Sequence, residues 1–466
     1  MAPLPSRIRL QGGLVVTMNA SRDVFVGDVV MVGHRIIAVE EASAVSVAKG
    51  EASALPPSEE LESSLLEEVI DCRGQLVIPG LIQPHVHLCQ TLFRGAADGL
   101  PLLDWLKTRI WPFEAAHTAS SIAASARLGV LELLRSGTTA ILDMGSVRHT
   151  EAIFEVCAET GIRATIGKAM MDVDHGQPAF LCETTERALG ESLELADAWH
   201  GAANGRLRYA FAPRFVLSCS EALLVKTSRA AREHGLLFHT HASENVDETA
   251  LVRADRGMDN VAYLHHLGAL HEGTVLAHCV WLSEHERQLL ASSGAHVAHC
   301  PSSNLKLGSG VAALPELLEA GVQVGLAADG AACANNLDAF MEMRLAGLIH
   351  NPRFGPGCLE ARRVVELATL GGANALGLGA EIGSLEVGKR ADVVVISPDQ
   401  LHAAPSQDPY SLLVYALRGH DVRDVFVDGV ARVRRGGLVG VDVEAVLDTV
   451  RAEASRFGRD ADVQVA

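Results

Sequence analysis

The sequence predicts an α/β protein: a (β/α)8 TIM barrel with a small β-sandwich formed by the N- and C-terminal segments. Three observations carry that prediction. From residue 77 to residue 380, short apolar runs alternate with amphipathic stretches, the rhythm of parallel strands each followed by a helix. On either side of that region the pattern changes to short alternating strands broken by Gly-containing turns. Ligand-type side chains stand just past the ends of several predicted barrel strands, where such barrels keep their active groups.

Composition narrows the setting. Of the 466 residues 48% are hydrophobic but only 4% aromatic, so the core is expected to be Ala, Val and Leu, as suits helices laid on a parallel sheet. A net charge of −18 argues against nucleic acid or an anionic membrane as partner. Nine scattered cysteines with no C-x-x-C pair point to free thiols in a reducing compartment. The first ten residues lack a signal-peptide pattern, and no apolar run reaches membrane-spanning length, so the expected location is cytoplasmic.

Taken in order, residues 1–76 give the first part of the sandwich, with strands around Ile8 and Leu10 and over 14–17, 28–32 and 35–39. Residues 41–68 shift to Ala, Ser, Glu and Pro and are expected to be a flexible insertion. The barrel is assigned to 77–380, with strands over 76–81, 138–144, 163–169, 208–213, 236–240, 274–277, 296–299 and 322–327. Amphipathic stretches such as 119–136, 183–199, 221–233 and 284–292 supply helices between them. No Gly-x-Gly-x-x-Gly follows any strand, which weakens the rival reading of an open doubly wound sheet. Residues 381–440 return to short strands that complete the sandwich, and 441–466 form a closing helix and tail.

The first barrel strand runs out into Pro84-His85-Val86-His87. In an extended chain residues i and i+2 face the same side, so His85 and His87 offer two imidazoles to one point, as a first-row divalent metal requires. In a chain with 20 histidines that motif alone is weak. The fifth strand ends His239-Thr-His241-Ala-Ser-Glu244, the sixth Ala277-His278-Cys279, and the eighth Ala327-Ala-Asp329-Gly330. His85, His87, His241 and Asp329, with a position left for water, suit a catalytic metal better than a closed structural site. Asp329 can also take a proton from water that the ion has made acidic. Glu244, three residues past His241, is placed to protonate a ring nitrogen without ligating, which requires burial to raise its pKa. His278 can hold the water from the opposite side. His239 points the same way as His241 but one step deeper and is read as core. His265, His266 and His296 are read as histidines that satisfy backbone carbonyls.

At Pro84–His87, His241-Ala-Ser-Glu244, Leu276-Ala-His-Cys279, His299-Cys-Pro-Ser-Ser-Asn304 and Ala328-Asp-Gly-Ala331 the chain resembles the amidohydrolase superfamily, over essentially its full length. Within it the chain is similar to the aminohydrolases of nucleobases, nucleosides and triazines. That resemblance implies one zinc per subunit, or iron, held by His85, His87, His241 and Asp329, with Glu244, His278 and Asp329 as catalytic groups. Binuclear members carry a carboxylated lysine at the end of the fourth strand; here that strand ends Ala212-Pro-Arg214, which favours one metal.

Gln90–Gly95, Leu103–Leu106, Ile110–Glu114 and Ser303–Gly308 are similar to methylthioadenosine/S-adenosylhomocysteine deaminases, in which the glutamate matching Glu114 binds ribose hydroxyls. Lys168 stands where those enzymes have arginine, and Arg214 where they have histidine. Pro213–Cys219 and Gly167-Lys168 instead resemble guanine deaminases, which implies that Gln90, Arg214 and Phe215 grip a base. Arg214 offers a planar donor fork and Phe215 a stacking face. A rim salt bridge is the plainer reading of Arg214, and core packing that of Trp105 and Phe215. The expected substrate-binding set is Gln90, Trp105, Glu114, Lys168, Arg214, Phe215 and Asn304. The expected reaction is hydrolytic deamination of a small-molecule purine by a homo-oligomer. A 5′-modified adenosine comes first, then guanine, then a triazine ring; a non-catalytic scaffold of the same fold is the alternative from another class.

Overall fold

Gly80 divides two sheets that the apolar pattern runs together. In the computed structural model, which describes residues 7–42, 67–405 and 407–460, the run over 76–81 is two strands in different sheets. Leu76–Pro79 pairs with Arg7–Val16 and Val393–Ile396, whereas Leu81–His87 pairs with Thr138–Asp143 and opens the barrel. The Gly80 N–H donates to the Asp392 carbonyl (3.0 Å). A Cβ on Gly80 would lie 1.9 Å from Thr139 Oγ1, so no other residue fits this crossing. The barrel therefore begins at Leu81 rather than at residue 77. Most of the expected insertion, residues 43–66, and the end of the tail, 461–466, lie outside the described residues.

Eight parallel strands pair in chain order: Leu81–His87, Thr138–Asp143, Arg163–Ile166, Leu207–Pro213, Leu237–Ala242, Thr274–His278, His296–His299 and Gln323–Leu326. Strands such as Thr138–Asp143 and Arg163–Ile166 are buried along their whole length, as expected where helices cover the outside and side chains fill the inside. The eighth strand breaks at Ala327-Ala328 and resumes as Asp329–Gly330, which pairs with the first through Asp329↔Val86 and Gly330↔His87. Buried Gln83 supports the break. Its Oε1 accepts the Ala328 N–H (2.9 Å), and its Nε2 donates to Thr138 Oγ1 (3.0 Å) and the Leu337 carbonyl (2.9 Å). The register that closes the ring is thus the register that seats Asp329 beside His85 and His87.

Local signals set the helix ends. Ala119–Arg135 starts at Thr118 and Glu284–Ser293 at Ser283, each with a reciprocal capping box. Glu221–His234 starts at Ser220, and its end, like that of Glu284–Ser293, is a left-handed glycine, Gly235 or Gly294. Among the described residues no helix is long and apolar enough to cross a membrane.

Strands from both ends of the chain join in a nine-stranded mixed sheet, with Leu76–Pro79 at the seam between Arg7–Val16 and Val393–Ile396. Its core is aliphatic: Leu10, Val15, Val29, Met31, Val77, Val393 and Val395 around Phe426. Glu67–Asp71, adjoining the expected insertion, adds to this sheet in parallel with Arg7–Val16. Arg163, at the start of the third barrel strand, ties the two bodies together. Its guanidinium is buried and donates to both oxygens of Asp392 (2.8 and 3.0 Å) and to Asp428 (2.5 Å).

Candidate active site

The C-terminal ends of the first, fifth and eighth barrel strands bring four side chains to one point. Alternation along Leu81–His87 turns His85 and His87 inward, and both are buried. Asp329 Oδ1 lies 3.2 Å from His85 Nε2 and 3.4 Å from His87 Nε2, and His87 Nε2 lies 3.1 Å from His241 Nε2. A tetrahedron with bonds of ~2.0–2.1 Å has edges of ~3.3 Å, so these separations suit ligands sharing one zinc-sized ion. His85 Nε2 is buried with no hydrogen-bond partner, a cost of ~1–3 kcal/mol unless a ligand takes its lone pair. Burial lowers the pKa of His85, His87 and His241, which keeps them neutral, the form that binds metals. Burial works against the Asp329 carboxylate, but His85, His278 and His87 outweigh it and hold Asp329 well below the usual range. Three neutral imidazoles and one carboxylate therefore fit a divalent cation.

Neighbours fix these groups. The Nδ1–H of His241 donates to the Arg214 carbonyl (2.6 Å), which leaves Nε2 free to point inward. Asp329 Oδ2 accepts from Ser303 Oγ (2.7 Å) and Cys333 Sγ (3.1 Å). His85 Nδ1 is 2.9 Å from His239 Nε2, so His239, read as core, is the residue that holds His85 in place. Asp143 accepts the Leu88 N–H (2.8 Å) and pins the chain just past His87; burial pushes its carboxyl up to about 7. A buried acid closing an otherwise apolar strand was the available signal for Asp143.

Glu244 and His278 sit beside this cluster. His278 Nε2 is 3.5 Å from Glu244 Oε2 and 3.9 Å from Asp329 Oδ2, while its Nδ1 is 2.9 Å from Asn304 Oδ1. Asn304, expected to touch substrate, thus orients His278. Burial disfavours charge on His278, but Glu244 and Asp329 more than offset it and raise its pKa. Burial also pushes the Glu244 carboxyl up to about 7. Glu248, absent from the sequence-based set, accepts the N–H groups of Glu244 (2.7 Å) and Asn245 (3.3 Å) and so aims Glu244. Backbone strain collects here: Ser243, His278 and Asp329 have φ of 53°, 73° and 66°.

The cluster opens into a narrow pocket also lined by Gln90, Trp105, Arg214 and Phe215. Buried atoms with no hydrogen-bond partner, Gln90 Oε1, Trp105 Nε1 and His278 Nε2, belong to residues of its wall. Arg214 and Glu114, offered as separate substrate groups, are bonded to each other. The Arg214 fork spans both Glu114 oxygens (2.5 and 3.0 Å), and Gln90 Nε2 donates to Glu114 Oε1 (3.0 Å). Arg214→Ala would strand Glu114 in the wall and is expected to cost ~3–5 kcal/mol of stability in urea unfolding, with metal content unchanged. A cost below ~1 kcal/mol, the surface-pair range, would mean that the pair is solvated.

Lys168 is the departure. Its Nζ meets Glu183 (2.5 Å) and Glu191 (3.5 Å), and it lines a separate cleft with His149 and Thr150 rather than the pocket. The third strand breaks after Ile166, and the lysine follows the nearest carboxylates instead of the strand direction.

Comparison with known proteins agrees with this geometry. Residues 76–432 match the profile of the Amidohydrolase family. Over 392 residues the chain is 40% identical to the 5′-deoxyadenosine deaminase of Methanothermobacter thermautotrophicus, covering 84% of this chain and 90% of that protein. Over 452 residues it is 38% identical to the 5-methylthioadenosine/S-adenosylhomocysteine deaminase of Desulforudis audaxviator, covering 97% and 99%. A crystal structure of an adenosine deaminase from Xanthomonas campestris with bound zinc is similar with a TM-score of 0.88 at 30% identity, covering 98% of this chain and 100% of that one. A profile match across the whole barrel, with imidazoles and a carboxylate gathered where its strands end, places the chain in the amidohydrolase family.

Proposed function

We propose that this protein is a hydrolase of carbon–nitrogen bonds that deaminates 5′-modified adenosines and releases ammonia. The observation that carries the reading is a buried Glu244, its carboxyl pushed up to about 7 by burial, beside His85, His87, His241 and Asp329 at the wall of one pocket. The substrates named for its relatives, 5′-deoxyadenosine, methylthioadenosine and S-adenosylhomocysteine, supply the class. Those four residues would hold one divalent cation, zinc before iron, which when bound makes water acidic near neutral pH.

The chain's own groups do the rest. Glu244 gives its proton to the ring nitrogen next to the carbon that bears the exocyclic amine. His278, held by Asn304, steers the attacking water with Nε2. Asp329, ionised, takes the water's proton and delivers it to the departing amine, which leaves as ammonia. The new hydroxyl returns a proton to Glu244, the ring nitrogen keeps the one it received, and the product is the ring carbonyl.

One observation favours guanine as a second reading: Glu114 is already engaged by Arg214 and Gln90, so it is not free for a ribose diol. Ammonia release measured on 5′-deoxyadenosine, methylthioadenosine, S-adenosylhomocysteine, adenosine and guanine separates the two. A 5′-modified adenosine is expected to exceed guanine in kcat/KM by at least ~10-fold, and the reverse order would overturn the first reading.

A further inference from the structure

Away from the pocket, one more group of the described residues brings imidazole and carboxylate atoms within 4.8 Å of one another: His402, His420 and Asp421. None of the three lines the pocket. The antiparallel pairing of Val393–Ile396 with Val422–Val427 creates the meeting point. It sets the loop after the first strand, which carries His402, against the turn Gly419–Asp421 that leads into the second.

Asp421 is the anchor. It is 4% exposed, and its ion partners among the described residues are the two histidines, with no arginine or lysine. Its Oδ2 accepts the Arg418 N–H (2.9 Å) and lies 2.9 Å from His402 Nε2. Its Oδ1 is buried with no hydrogen-bond partner and lies 3.4 Å from His420 Nε2. A buried carboxylate with one bare oxygen and no cation is costly. An ion held by the carboxylate and the two imidazoles would remove the cost: the three ligand atoms lie within 4.8 Å of one another, and the 3.4 Å from Oδ1 to His420 Nε2 is near the ~3.3 Å tetrahedral edge that fits zinc-length bonds.

We propose that His402, His420 and Asp421 form a second metal site, for an exchangeable divalent cation of the zinc class. Two imidazoles select against magnesium and calcium, which take oxygen ligands. The imidazoles are 28% and 61% exposed, so the ion enters from solvent and keeps water in its remaining positions. The role is a clip rather than chemistry. It fastens the loop that carries His402 to a turn that is itself held on the barrel, where Asp338 Oδ2 accepts the Gly419 N–H (3.1 Å). This inference does not rest on the deaminase reading.

The test uses the full chain with its pocket metal in place, freed of loose ions, then titrated with ZnCl2 by calorimetry and counted by elemental analysis, with MgCl2 as control. One equivalent beyond the pocket metal, bound in the micromolar range and not by magnesium, is expected. His402→Ala/His420→Ala should weaken that binding by at least ~10-fold and leave pocket metal and turnover unchanged. His420→Ala alone, at the more exposed position, should weaken it too and guards against a folding defect in the double variant. No added equivalent in the wild type would overturn the proposal, as would one that survives substitution and so marks adventitious binding elsewhere.

Discussion

Glu244→Gln is expected to lower kcat by about 10²–10⁴-fold, the range that a positioned general acid supplies, and to leave the metal content at its starting level. Glutamine keeps the shape of the side chain and can still accept from Ser309 Oγ (3.4 Å in the wild type), but it has no proton to give a ring nitrogen. The pH profile carries the same information. Burial raises the Glu244 pKa to about 7, and the acid works only while protonated, so activity falls as pH rises through that value. The residual activity of the variant should lack that alkaline limb. Steady-state kinetics across pH with elemental analysis checks both, and an unchanged kcat or a lost metal would remove Glu244 from the acid role.

His241→Ala has the other large effect. It takes away one of the four proposed donors, the imidazole whose Nε2 lies 3.1 Å from that of His87. The loss of metal affinity should exceed the ~10–100-fold that removing a supporting hydrogen bond costs, so the purified variant should be nearly metal-free and inactive. Folding should persist, because Leu237–Ala242 keeps its backbone pairing with Thr274–His278. Full metal content in the variant would refute ligation by His241.

How much of this was legible in the sequence depends on distance along the chain. His85 and His87 were readable because strand alternation is local, and Glu244 because it follows His241 by a single turn of chain. His239 is buried, as read, but its bond to His85 was not legible, for a physical reason. Its partner is His85, on a strand that is not its neighbour in the sheet, and the stagger across a barrel leaves no mark in either strand's own pattern. Arg214 and Glu114 each matched a different relative's pocket, but 100 residues separate them, and only the fold shows one neutralising the other. Lys168 was assigned by resemblance at Gly167-Lys168, and only the fold shows its ammonium paired with Glu183. Gly80 hid a sheet boundary because both sheets bury the residues beside it, so polarity does not change where the chain crosses over.

Everything in the mechanism depends on four side chains sharing one ion. Diffraction from crystals of the zinc-loaded protein, recorded on both sides of the zinc absorption edge, tests this most directly. An anomalous peak within ~2.0–2.2 Å of His85 Nε2, His87 Nε2, His241 Nε2 and an Asp329 oxygen is the predicted result. No peak at that point in a zinc-loaded, active protein would contradict the account.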